Sequence, residues 1–98
     1  MARYDLYSLG PDSLLLDVQS NILSELNTRV VVPLLNETSA PTPAKRLNPV
    51  FLINDNKFVM VTQFLAAIPE RELKAKVGNL SDAADEISAA LDMLFTGF

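Results

Sequence analysis

The chain holds few of the groups that carry covalent or metal chemistry. It has no histidine and no cysteine. That removes the usual general base near neutral pH, the commonest metal ligand, thiolate nucleophiles and disulfides. Twelve carboxylates remain, and paired carboxylates can divide the acid and base roles of a hydrolase. The densest group, Asp82, Asp85 and Glu86, falls at the start of an expected helix, where acids complement the helix dipole on a solvated face. It lacks the ligand spacing of a calcium loop. Only Gly10, Gly78 and Gly97 occur, which is too few for a glycine-rich phosphate loop. Asp17 and Arg29 fall on neighbouring expected strands and read as a structural ion pair. No catalytic site, cofactor or metal is expected, and the composition points to a binding module rather than an enzyme.

One end of the chain stands out. Leu80, Ala84, Ile87, Leu91, Leu94 and Phe98 recur at helical spacing, so one stripe of a C-terminal helix faces a core. The pattern runs into Phe95-Thr96-Gly97-Phe98. Phe98 has two readings there: it folds back onto the core, or it is an aromatic anchor for a partner, since buried aromatics dominate interface energetics.

The elements that must position this end are mostly strands. Ala2 to Ser8 alternates loosely and ends at the turn Gly10-Pro11-Asp12. Leu14 to Gln19 is a second short strand, and Asn27-Thr28 marks a turn. Arg29 to Leu35 is rich in β-branched residues and reads as a strand. Pro33 within it cannot donate to a ladder, which places it at an edge or a bulge. Residues 36–49 hold three prolines among small polar residues and read as a mobile loop. Val50–Ile53 and Lys57–Val61 flank Asn54-Asp55-Asn56 as a hairpin. The charged stretch Pro69–Lys76 is an edge strand or a loop. Gly78-Asn79-Leu80-Ser81 opens the helix, with Ser81 as N-cap and Asp82 and Asp85 in the first turn.

Length and charge narrow the class. A chain of 98 residues fits one domain, 1–98, with a thin stability margin that dimerisation often supplements. Hydrophobic residues make up 49% and charged residues 20%, close to the globular average. The net charge of −4 resides in residues 81–98, which hold four acids and no Lys or Arg, while the rest is balanced. Such a chain repels phosphate, so tight direct binding to nucleic acid is not expected and a basic protein partner is. The opening MARYDLYSLGPD has no apolar run of seven and does not read as a signal peptide. No stretch approaches the roughly 20 apolar residues that span a bilayer, so a cytoplasmic address is expected.

Five co-linear segments carry a resemblance: LLDVQSNIL (15–23), RVVVPL (29–34), LNPVFLI (47–53), MVTQFLAAIP (60–69) and LSDAADEISAALDMLFTGF (80–98). The most specific marks are Asp17-Val18-Gln19-Ser20, the Val-Pro-Leu step at 32–34, the Ile-Pro step at 68–69 and the Phe-x-Gly ending of the helix. Their order and spacing resemble the CcdB family of gyrase-poisoning toxins across nearly the whole chain. The resemblance implies a mainly β fold: an SH3-like antiparallel barrel with an added short sheet and one C-terminal helix, assembled as a homodimer. It implies a toxin of a toxin–antitoxin system that binds the A subunit of DNA gyrase and traps its DNA-cleaved complex. It also implies a CcdA-like antitoxin whose folded half binds operator DNA, giving transcription autoregulation, and whose disordered half wraps the toxin.

The family's gyrase-binding residues match Asp92, Phe95, Thr96, Gly97 and Phe98, with Ile22 and Leu23 as supporting positions. The chain departs from the family at Thr96, where the best-known members carry a Trp that stacks on gyrase arginines. Such a desolvated cation–π contact is worth about 2 kcal/mol. Its loss lowers affinity, changes which gyrase is recognised, or abolishes poisoning. Two alternatives accompany the gyrase reading. One is a domesticated homologue that binds antitoxin without poisoning gyrase. The other is a ribonuclease toxin on the related barrel fold, which the acidic surface and missing histidine disfavour.

Overall fold

Seven antiparallel strands and one α-helix make up the regular elements of the computed structural model, apart from short 3-10 turns, and the residues described are 1–97. In chain order the strands are β1 (Asp5–Ser8), β2 (Ser13–Asp17), β3 (Thr28–Asn36), β4 (Val50–Ile53), β5 (Asn56–Met60), β6 (Ala66–Pro69) and β7 (Lys76–Asn79). The helix α1 spans Ala84–Thr96. The sheet runs β4-β5-β3-β2-β1-β7, with β6 also on β3, and curls into a half-barrel. The expected barrel-like β fold with a C-terminal helix is what forms.

Alternation along the strands separates two apolar layers. The inner face gathers Leu6, Leu14, Leu16, Val32, Leu34, Phe51, Phe58 and Met60, and α1 lays Ile87 and Ala90 against it. The outer face buries Tyr7, Val31 and Leu73. Fully burying each large aliphatic or aromatic side chain is worth about 1.5–3 kcal/mol, so the helix is held chiefly by the core stripe read from its periodicity.

The hairpin expected around Asn54-Asp55-Asn56 is present, with Asn56 already in β5. Asn54 and Asp55 take φ of 51° and 66°, the two left-handed residues that a tight type I′ connection requires. Pro33 is a correction. It lies in the central strand β3, opposite Leu15 of β2. Its other side meets the gap where β3 exchanges β6 for β5, and its carbonyl accepts the Val61 N–H at 3.0 Å. A proline is tolerated there because no ladder bond calls for its missing donor.

Three boundaries also differ. Thr28 starts β3 instead of forming a turn. Ala66–Pro69 forms β6, a strand without marked alternation. Gly78 and Asn79 close β7 against β1 and do not open the helix. Ser81 begins a 3-10 turn, Ser81–Ala83, ahead of α1. The capping role passes to Asn79, whose Oδ1 accepts the Ser81 N–H at 2.7 Å. The connection after Asn36 is anchored at its far end by buried Asn48. Its side chain accepts the Ala44 N–H and donates to the Met60 carbonyl and Gln63 Oε1.

Asp5 joins the first strand to the last. Its Oδ1 accepts from Asn79 Nδ2 at 2.8 Å and lies 3.3 Å from Lys76 Nζ, while Oδ2 accepts the Ala2 N–H at 2.9 Å. Burial opposes ionisation of this carboxyl. The Asn79, Ala2 and Lys76 partners outweigh it and hold the pKa below its ordinary value. A pKa lower in the folded state contributes stability above the unfolded value, about 4, and that contribution is lost as pH falls through the folded value. Thermal unfolding of wild type and Asp5→Asn should therefore differ most near neutral pH and converge below about pH 4. A gap that stays constant down to about pH 2 would contradict this role for Asp5.

Candidate functional site

The helix changes character along its length. Ile87 and Ala90 are fully buried, Leu91 and Leu94 are half-buried, and Phe95 is 68% exposed. Thr96 and Gly97 are exposed as well. Gly97 ends the helix with φ of 80°, and its N–H donates to the carbonyls of Asp92 (3.2 Å) and Met93 (3.1 Å). That left-handed closure is one that glycine adopts without steric cost. Thr96 Oγ1 donates back to the Asp92 carbonyl at 2.7 Å. The Thr96 hydroxyl thus satisfies its own helix and does not point a free donor outward. Phe98 lies outside the described residues.

Ile22 and Leu23 sit on a 3-10 turn, Asn21–Leu23, between β2 and β3. They are 91% and 47% exposed. Ser20 Oγ accepts the Ile22 N–H at 3.3 Å and caps the turn. Leu23 and Phe95 together line an apolar groove of about 400 Å³, with Val18, Leu26, Val30, Leu65 and Leu91. Two of the expected residues, far apart in sequence, therefore share one surface. Ile22 is on the same turn but outside the lining, and Asp92 is exposed one helical turn back from Thr96. A cleft of about 440 Å³ among Met1, Asn27, Glu70, Arg71 and Leu73 holds none of the expected residues.

Leu26 and Leu65 were not among the expected residues. Leu26, 48% exposed, sits in the polar run Ser24–Asn27. An apolar residue with no strand or helix stripe to join was its signal. Leu65 carries no such mark, because it falls in MVTQFLAAIP (60–69), a segment that enters only through the family resemblance.

The remaining candidate groups form no metal-type cluster among the described residues. Asp82, Asp85 and Glu86 are exposed at the helix start. Asp17 and Arg29 form the expected ion pair, but in full burial, with side chains 0% and 1% exposed. Arg29 Nε donates to Asp17 Oδ2 at 2.8 Å. Arg29 Nη2 lies 2.8 Å from the same oxygen but off the line of a hydrogen bond, and it has no other partner among the described residues. Burial pushes the nearby Tyr7 phenol up, and the Asp5 and Asp17 charges add to the effect.

These features define a small antiparallel half-barrel, closed by one C-terminal helix, whose exposed apolar groove adjoins the helix end. A family model described as CcdB protein matches residues 3–97, and the chain belongs to the CcdB family. It is accordingly of the class of toxins paired with antitoxins.

Proposed function

We propose that this toxin acts by binding the A subunit of DNA gyrase and trapping its DNA-cleaved complex, with no catalytic chemistry of its own. The observation that carries this reading is Phe95, exposed at a glycine-capped helix end beside an apolar groove that also contains Leu23. Exposed aromatics flanked by apolar surface are the groups that supply most binding energy at protein interfaces. Asp92, with Asp85 and Glu86 further up the helix, suits an arginine-bearing partner. The assembly is a homodimer whose two-fold axis brings both helix ends to one face. Ile22, Leu23, Asp92, Phe95, Thr96, Gly97 and Phe98 form the gyrase-binding set. A CcdA-like antitoxin engages other surfaces, and the complex works in the cytoplasm.

A second reading, an antitoxin-binding homologue that does not poison gyrase, draws on Thr96. Its hydroxyl is turned onto Asp92, and it offers none of the aromatic surface that the family's Trp provides. Calorimetric titration of a gyrase A fragment, paired with growth on induced expression, separates the two. Under the first reading wild type binds and arrests growth. Thr96→Trp then tightens binding by about thirtyfold, the equivalent of about 2 kcal/mol. If neither wild type nor Thr96→Trp binds or arrests growth, the gyrase reading fails and the second one stands.

A further inference from the structure

The polar atoms of the motif Asp17-Val18-Gln19-Ser20 converge on the turn that carries Ile22 and Leu23. None of the three residues of that turn is buried. Apolar packing therefore does little to fix it, and a turn so exposed is expected to move unless polar anchors hold it. Gln19 supplies them. It is 6% exposed. Its Oε1 accepts the Val30 N–H at 3.1 Å, and its Nε2 donates to the Leu23 carbonyl at 3.0 Å. One side-chain amide thus ties the end of the turn to the central strand β3.

The anchor is itself anchored. The Gln19 N–H donates to Asp17 Oδ1 at 3.0 Å, and the other oxygen of Asp17 is engaged by Arg29. Two contacts hold the start of the turn. Asn21 Oδ1 accepts the Arg3 N–H at 2.8 Å, and Arg3 Nε donates to the Val18 carbonyl at 3.1 Å. The buried ion pair, the glutamine and the turn form one continuous chain of hydrogen bonds. The exposed apolar side chains on the turn it holds are Ile22 and Leu23.

We infer that Gln19 is a positioning residue, which holds Ile22 and Leu23 in a fixed, solvent-facing geometry so that partner binding does not have to order them. The inference rests on the proposed gyrase reading for the identity of the partner, but not for the geometry. Freezing a mobile apolar turn at an interface costs affinity, and holding it beforehand removes that cost.

The test compares Gln19→Met, which keeps the chain length and loses both side-chain hydrogen bonds, with Val59→Ala, a core change on β5 away from the turn. Ser20→Ala, at an exposed position, removes only the cap on Ile22 and serves if Gln19→Met fails to fold. Amide hydrogen exchange is read at Leu23, Ser24 and Leu26, whose N–H groups bond within the turn. In Gln19→Met these amides should exchange roughly five- to twenty-five-fold faster than in wild type, for one to two lost hydrogen bonds at roughly fivefold each, and Val59→Ala should leave them unchanged. Ser20→Ala should give a smaller increase at the same amides. Affinity for the gyrase A fragment should fall by a similar factor in Gln19→Met and stay at the wild-type value in folded Val59→Ala. Turn amides that exchange at the wild-type rate in Gln19→Met, or in Ser20→Ala where that variant stands in, overturn the inference. A wild type that does not bind gyrase overturns the proposed function instead, and the exchange rates then decide the role of Gln19 alone.

Discussion

A protein lacking residues 96–98 should fold and yet fail to arrest growth. Thr96 and Gly97 are exposed, and the helix is fixed upstream by Ile87 and Ala90. Removing Gly97 forfeits the two hydrogen bonds that close the helix onto Asp92 and Met93, a loss of about 1–2 kcal/mol. The cost to binding is far larger. The truncated chain ends at Phe95 and puts a carboxylate where the partner would meet apolar surface. It also lacks Phe98. Binding to a gyrase A fragment should drop below detection by calorimetry, while binding to antitoxin persists. A truncated protein that is folded and still arrests growth through gyrase would show that the contact surface lies elsewhere.

The other large effect is on stability. Arg29→Met leaves Asp17 as an unpaired carboxylate in a site that admits no water-exposed surface. Breaking a buried pair from one side costs about 3–5 kcal/mol. A small domain has about 5–15 kcal/mol in total, so the variant should be partly or largely unfolded at physiological temperature. Removing both charges, as Asp17→Leu with Arg29→Met, should recover most of that loss, because the desolvation cost of the pair disappears with it. Recovery should be incomplete, since the Gln19 N–H loses its acceptor on Asp17, a deficit of about 1 kcal/mol or more. Denaturant unfolding of the two single variants and the double variant gives the coupling directly. A single Arg29→Met within about 1 kcal/mol of wild type would mean that the site relaxes and admits water.

What could be read from the residues alone follows from how local the deciding physics is. The Asn54-Asp55 hairpin was legible because two adjacent residues tolerant of positive φ sit between apolar runs. The α1 stripe was legible because Ile87 and Leu91 repeat at helical spacing. Strand β6 was not, because Ala66, Ala67 and Ile68 show no alternation; their pairing is set by β3, more than thirty residues earlier. The start of the helix was misplaced because Ser81 is a good cap by type. Asn79, two residues before it, instead accepts the Ser81 N–H from the end of β7. Pro33 reads as an edge or bulge residue because its chemistry forbids a ladder bond on one side only, and the sequence does not say which neighbours occupy that side. At the site, Phe95, Thr96, Gly97, Ile22 and Leu23 came from the family resemblance. The groove between Leu23 and Phe95 needed the fold, since it exists only once the β2–β3 connection lies beside the end of α1.

The pairing of β1 with β7 sets when this protein can become harmful. The sheet joins Asp5 to Asn79, and the Leu80 N–H donates to the Tyr4 carbonyl at 2.8 Å. Contacts that span most of a chain form late, because the loop they close must be ordered before they repay it. A ribosome partway through the message therefore carries a chain with β1 unpartnered, the inner face uncovered and no helix end to present. On the proposed reading, the binding surface is complete only once the last described element, α1, has docked.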